Sequence, residues 1–343
     1  MNQLRFPSVV ESHNSELRNV ASDLLNGIRL YHGDNGYIIG QLALNEGTSP
    51  HKAINSSPEE LDYQLLLKAG LLVASTQVDE PITLTVGFPF STYQINRGLV
   101  AGQVGESLDI AHDTAPYGGH GRQTRRISIH KVDVIPEVIG CIIGARKGPR
   151  RQKGPFFMAS VGYGTFEACL SSESGIVQRT MLSVSGIRHA VDLAMRELME
   201  THYLGLRTEH QFDSAFRKGA IVLNRRKIDL KDLRKRALRR YYQDVISPAL
   251  RNTWQDEDFD RSGTLLLAGG GALYSDLYDC FLEEFDGVLD VHVVDDALTL
   301  ASAGYCARSA SLAGASGSVA IGLDIGNAQT VVSLQDQAET DSW

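Results

Sequence analysis

Apolar residues alternate with small or polar ones in several short stretches, most clearly near the end of the chain. In residues 318–334, Val319, Ile321, Leu323 and Ile325 alternate with small or acidic residues, and Val331, Val332 and Leu334 follow a polar turn. β-Branched and aliphatic residues at period two predict a pair of strands. Gly326-Asn327 is a turn signal, because both residues tolerate positive φ. Asp324 then closes a buried strand just ahead of a turn with free backbone N–H groups. Such amides can cradle phosphate oxygens, and a carboxylate beside them can hold the water shell of Mg2+. Taken alone, Asp-x-Gly in a hairpin is more often only a turn.

Alternation predicts a strand over 127–134, apolar runs predict buried strands over 81–87, 264–268 and 291–294, and residues 4–10 read as a short strand that Pro7 makes irregular or places at an edge. Residues 28–40 read as a hairpin with Asp34-Asn35-Gly36 at its tip. Residues 155–168 read as a second strand–glycine turn–strand unit like the one at 319–334. Helical spacing marks residues 187–204 and 231–250. A helix is also predicted from Ser57, as cap, through Pro58 and two glutamates to about Ala74. Residues 296–305 begin another helix, and the Ala/Ser/Gly run 309–318 has the composition of a flexible joint. Glu137 follows a proline at a strand end, where a helix would start. There it serves the helix dipole or orients a group in a cleft. Leu265 to Ala268 run into Gly269, Gly270, Gly271 and Ala272, a turn that lets backbone approach a flat or anionic ligand. It is neither a Gly-x-Gly-x-x-Gly nor a Walker loop.

Length and charge narrow the field. The 343 residues can hold two domains. A net charge of −8 gives no global attraction for nucleic acid or anionic membrane. Cys141, Cys169, Cys280 and Cys306 are scattered, which fits reduced thiols and no zinc or disulfide framework. No apolar run is long enough to span a bilayer, and the N-terminus lacks the pattern of a secretory leader. The expected location is cytoplasmic. His189 and His202 have no second metal ligand at suitable spacing and are expected to be structural or at the surface. Residues 118–122 form a flexible cationic loop and residues 146–153 a basic one, most simply solvated.

These parts together resemble the actin-like ATPase superfamily, and within it the ParM-type bacterial actins that segregate plasmids. Asp324-Ile325-Gly326 with Thr330 resembles the first phosphate motif. Residues 86–93 resemble the family's Gly-Leu-Pro-Leu segment, and residues 134–137 the segment whose glutamate orients the attacking water. Gly162-Tyr163-Gly164-Thr165 resembles the second phosphate motif, residues 269–272 the adenosine motif, and residues 301–305 the last helix. The resemblance covers essentially the whole chain, but the order differs: the first phosphate hairpin follows the last helix instead of opening the chain. Joining Trp343 to Met1 restores the family order, so the resemblance implies a circular permutation. Where the family has an aspartate opening its second phosphate motif, this chain has Ser160.

The implied fold is α/β: an actin-like, ribonuclease H-like pair of domains around a central nucleotide cleft, circularly permuted. The first domain is expected over 1–140 plus 295–343, completed by the hairpin at 319–335. The second is expected over 141–294, with 309–318 as the linker joining the old termini. The implied activity is binding and hydrolysis of ATP (or GTP) with Mg2+, coupled to head-to-tail self-assembly into filaments. Asp324 would bind a metal water and Glu137 would orient the attacking water. Gly326, Asn327, Ala328, Gln329, Thr330, Ser160, Gly162, Tyr163, Gly164 and Thr165 would surround the phosphates. Gly269, Gly270, Gly271 and Ala272 would face adenosine. A DNA-bound adaptor protein is a further implied partner; direct DNA binding and membrane contact are not expected. The alternatives are a nucleotide-binding structural protein with weak or no hydrolysis, for which Ser160 speaks, a small-molecule kinase of the same superfamily, and a DNA scaffold using residues 146–153 and 234–240.

Overall fold

In the computed structural model, which describes residues 1–52, 57–78, 81–204 and 209–335, the alternating stretches fall into two sheets belonging to two separate units. Unit 1 comprises Met1–Arg151 and Thr299–Trp343, and unit 2 comprises Gln152–Leu298. Each has its own hydrophobic core.

Unit 1 opens with strands β1 (Asn2–Pro7) and β2 (Val9–Ser12), β3 (Arg29–His32) and β4 (Asn35–Ile39), then helix α1 (Gln41–Glu46) and β5 (His51–Lys52). It continues through α2 (Leu61–Ser75), β6 (Ile82–Phe88), α3 (Tyr93–Val104), β7 (Ser107–Asp113), β8 (Arg122–Pro136) and α4 (Glu137–Lys147). Pro7 ends β1 because it has no N–H to give the ladder. The hairpin β3–β4 pairs His32 with Asn35, so its tip is Gly33-Asp34 and not the expected 34–36; Gly33 takes the positive φ of +62°. Helix α2 starts at Leu61, later than the proline signal predicts. Ser57 and Pro58 form a preceding turn closed by the Glu60 N–H on the Ser57 carbonyl.

Unit 2 holds β9 (Phe156–Val161), β10 (Thr165–Ser172), β11 (Gly175–Ile176), β12 (Leu182–Ser185), α5 (Arg188–Met199), α6 (Glu209–Lys218), and the hairpin β13 (Ala220–Leu223) with β14 (Arg226–Asp229). After it come α7 (Lys231–Tyr241), α8 (Ser247–Thr253), α9 (Asp256–Phe259), β15 (Thr264–Ala268), α10 (Ser275–Glu284) and β16 (Asp290–Val293). The predicted single helix over 231–250 is interrupted by a π-turn at Tyr242–Ile246, just before Pro248. The proline ring cannot sit against the carbonyl four residues back, and the wider turn relieves it. Phe157, Trp254, Phe259 and Phe285 cluster in this core, Phe157 and Trp254 with ring centroids 4.4 Å apart.

The chain returns to unit 1 through α11 (Leu300–Ala313), β17 (Val319–Ile325) and β18 (Gln329–Leu334). The run 309–318 is therefore not all linker. Its first five residues finish α11, and Ser309 is buried, its hydroxyl donating to the Ile321 carbonyl at 2.8 Å. The expected domain edge at 140/141 would cut through α4, which instead packs along α11 inside unit 1.

The two sheets share one plan. In unit 1, β1, β18, β17, β6 and β8 lie in that order, with β17–β18 an antiparallel hairpin and β6 and β8 parallel to β17. In unit 2, β12, β10, β9, β15 and β16 repeat it, with β9–β10 the hairpin and β15 and β16 parallel to β9. The last strand and the first are thus neighbours, Asn2 opposite Leu334. Helices cover both faces of the unit 1 sheet. Gly70 of α2 lies against the Leu323 side chain, while Gly322, pointing the other way, lies against the α11 backbone.

Candidate functional site

The turn after β17 is built from both sides. The Gly326 N–H donates to the Gln329 carbonyl at 3.1 Å and closes it, and the Ser8 N–H donates to the Ala328 carbonyl at 3.2 Å. The Ser8 and Thr330 hydroxyls, both fully buried, share a hydrogen bond of 2.9 Å. Ser8 lies in the break separating β1 from β2, so the irregularity at Pro7 serves to hold this turn. Sequence reasoning missed Ser8; the only signal was the proline that frees it from the ladder. Replacing it should strand the Thr330 hydroxyl in the core. We expect Ser8→Ala to cost about 1–2 kcal/mol in urea unfolding, most of it recovered by the pair Ser8→Ala with Thr330→Val.

Two groups at this turn lack partners. The Gln329 side-chain oxygen is buried with no hydrogen bond, and rotating the amide would put its N–H2 there instead. Asp324 has no hydrogen bond or ion pair among the described residues, and burial alone pushes its carboxyl up to about 7. Some of its surface still reaches solvent. A carboxyl desolvated with no countercharge resists ionisation unless a cation arrives.

Glu137 is the first residue of α4, straight after β8. Strands β17, β6 and β8 run parallel with Leu323 beside Val86 and Gly87 beside Ile135. Asp324 and Glu137 therefore stand at the same, carboxyl end of the sheet, two strand spacings or roughly 10 Å apart. In parallel α/β sheets ligands bind at this end.

Unit 2 repeats the turn. The Gly162 N–H donates to the Thr165 carbonyl at 2.9 Å, as Gly326 does to Gln329. Ser160 occupies the place of Asp324. The carbonyls of Gly162, Tyr163 and Gly164 accept from the N–H groups of Ile187, Arg188 and Gly186 at the start of α5. In a trans peptide the N–H opposes the C=O, so the Tyr163 and Gly164 amides point away from that segment. Gly186, another residue sequence reasoning missed, is required there: a Cβ would come within 2.6 Å of the Gly162 and Tyr163 carbonyl oxygens. Directly across the ladder from Ser160 is Glu167, which is buried. This hairpin thus carries a carboxylate on the Ser160 face, one strand over.

Residues 269–272 sit beside this hairpin, Ala268 pairing with Ser160. Gly270–Leu273 form a short 3-10 turn, with Gly269 as its cap, leading to α10. Gly269 has φ +83° and its Cβ would meet the Val161 carbonyl oxygen at 2.5 Å, while Gly271 is pressed against the Val161 and Ile187 side chains. Packing explains those two glycines. Only Gly270 has room, its nearest neighbour being a Leu298 methyl at 3.4 Å.

The structure thus brings the predicted residues together in two groups: Asp324, Gly326 to Thr330 and Glu137 in unit 1, and Ser160, Gly162 to Thr165 and Gly269 to Ala272 in unit 2. Other candidates find structural uses. In the run 234–240, Arg236, Arg239 and Arg240 pair with Glu197, Glu283 and Asp244, and Arg234 donates to the Phe216 and Arg217 carbonyls. Their charge is largely spent, which weakens the DNA-scaffold alternative. Arg122, expected on a flexible loop, lies 4.4 Å over the Tyr31 ring and donates to the Gly33 carbonyl. His189 faces the Tyr241 ring at 5.9 Å. Among the described residues there is no metal-ligating cluster of His, Cys, Asp and Glu, and no helix is long and apolar enough to cross a membrane.

Comparison with known proteins agrees with this geometry. Residues 1–140 match the family described as the N-terminal domain of actin-like proteins. No curated protein matches the chain in sequence. Among solved structures, the archaeal actin homologue Ta0583 is similar at 17% identity with a TM-score of 0.70, over 90% of this chain and 92% of that one. The same homologue in complex with ADP gives 18% identity and a TM-score of 0.62, over 90% and 92%. The subunit of a 15-stranded ParM filament from Clostridium botulinum gives 15% identity and 0.64, over 89% and 92%. At such identities the likeness speaks for the fold. With the doubled hairpin-and-parallel-strand plan and the family match over its first 140 residues, the chain has the fold of the actin-like proteins.

Proposed function

We propose that this protein binds a nucleoside triphosphate with Mg2+, hydrolyses it slowly, and assembles head to tail into filaments of the plasmid-segregating or another cytoskeletal kind. The observation that carries the reading is Asp324, a desolvated carboxyl with no cation among the described residues, beside the turn that the Gly326 N–H closes on the Gln329 carbonyl. A divalent ion would supply the missing charge and neutralise the phosphates. Asp324 would hold one of its waters. The amides around Gly326, Asn327 and Ala328 and those of Tyr163 and Gly164 would hold phosphate oxygens, with Gln329 turned to donate. Glu137 would orient the attacking water. The nucleotide of the archaeal homologue and the filament of the Clostridium protein support the reading by likeness of fold.

Phosphate release from Mg–ATP tests it. The wild type should turn over, and Glu137→Gln should slow it about 100-fold or more with affinity kept. Equal, near-zero rates for both would favour the second reading, a nucleotide-binding structural protein; the uncharged Ser160 is the observation on its side. Light scattering that rises only with nucleotide tests assembly, and a DNA-bound adaptor would act on the filament so formed.

Adenine contact at the glycine turn has a separate test. Gly270→Ala should leave Tm within about 2 °C, since a methyl fits there, yet weaken nucleotide binding about tenfold if a base lies against it. Unchanged affinity would remove residues 269–272 from the site.

We also propose that the chain is a circular permutation of the family order, with residues 314–318 as the joint ahead of the first phosphate hairpin. The register of Asn2 opposite Leu334 supports it. Trp343 lies outside the described residues.

A further inference from the structure

Tyr305 of α11 is fully buried, and the space it fills is set by two glycines. A Cβ on Gly87 would overlap its hydroxyl and the Cε2 edge of its ring, and a Cβ on Gly140 would overlap the opposite, Cε1 edge. The ring is therefore a wedge with the end of β6 on one side and the first turns of α4 on the other. Gly87 is one step past the Val86–Leu323 pair, level with Asp324, and lies beside Ile135. Gly140 is three residues along α4 from Glu137, on the same face of the helix. One rigid side chain thus touches the backbone next to each of the two carboxylates.

We propose that Tyr305 is a positioning residue that fixes the separation of Glu137 from Asp324, and so the place of the attacking water relative to the metal. This rests on the function proposed above. The packing around it is close. A Cβ on Gly144 of α4 would come within 2.5 Å of the Leu300 carbonyl oxygen, and one on Gly304 would strike the Gly140 carbonyl. Backbone meets backbone along α4 and α11, so α4 can slide only if the wedge changes. The phenol ring lies between Gly87 and Gly140, and its two edges, not its polarity, set the spacing there.

The test compares Tyr305→Leu and Tyr305→Phe with the wild type for Mg–ATP affinity and turnover. Leucine removes both ring edges and lets the first turn of α4 shift. We expect Kd within about threefold and kcat lower by about 10–100-fold, as a displacement near 1 Å costs when water must be aligned. Phenylalanine keeps both edges and should restore kcat to within about threefold. Unchanged kcat in Tyr305→Leu, or affinity and turnover falling together, would overturn the inference. A wild type that binds no nucleotide would instead defeat the proposed function. Positioning is then judged on a crystal structure of Tyr305→Leu, where α4 should close towards β6 by about 1 Å; an unmoved helix would overturn it.

Discussion

Asp324→Asn should make the nucleotide-free protein more stable at pH 8 and abolish its response to Mg–ATP. A carboxyl with a pKa of about 3.9 in the unfolded chain and about 7 in the folded one binds its proton more tightly when folded. Its ionisation therefore opposes folding. The cost is absent below pH 4, grows between pH 4 and 7, and is complete above 7. It amounts to about 2–4 kcal/mol, allowing for the solvent the group still reaches. Asparagine removes the charge and the cost. The variant's Tm should exceed that of the wild type by about 5 °C or more at pH 8, with the difference vanishing near pH 4. Adding Mg–ATP should raise Tm for the wild type alone, since a ligand stabilises only what it binds. A variant with equal or lower Tm at pH 8 would mean that Asp324 is compensated in the folded chain and is no candidate for the metal.

Gly304→Ala should be among the most damaging single methyl additions in unit 1. The new Cβ would fall on the Gly140 carbonyl oxygen and within 2.9 Å of the Gly144 nitrogen. Both are backbone atoms in a helix and cannot rotate away, so α4 and α11 must part. We expect a loss of about 3 kcal/mol in chemical unfolding. Gly102→Ala on α3 is the control. Its Cβ would meet nothing within 4 Å, and alanine favours helix, so it should stabilise by about 0.5–1 kcal/mol. Equal effects at the two sites would show that the close crossing of α4 and α11 does not exist in solution.

This crossing shows where sequence reading succeeds and fails. The hairpins at 319–334 and 155–168 and the strand at 264–268 are legible because short runs rich in apolar residues, alternating in the first and continuous in the last, are bounded by glycine turns. The end of α11 is not. Its Ala and Ser residues have a linker's composition, yet they continue the helix to Ala313, and Ser309 spends its hydroxyl inside the core. Helix α3 is hidden by Gly98 and Gly102 and by a buried face of only Asn96, Val100 and Val104. Strand β7 is hidden because its inner positions include His112 and Asp113, the latter paired with Arg29 at 3.3 Å. The hairpin β13–β14 turns through Asn224 and Arg225, both at positive φ, and arginine gives no turn signal. The candidate site reads better than its support. Asp324, Glu137 and the turn glycines carry recognisable local patterns, whereas Ser8, Gly186 and Tyr305 act through contacts distant in sequence. Glu167 lies in the pattern but draws no notice until register sets it opposite Ser160.

The most direct measurement is a crystal structure of the protein with Mg2+ and a non-hydrolysable ATP analogue. The account predicts one nucleotide per chain, its phosphates within hydrogen-bond distance of the amides at 326–328 and 162–164, and a metal water on Asp324. A nucleotide bound away from both turns, or crystals that take up none at saturating concentration, would contradict it.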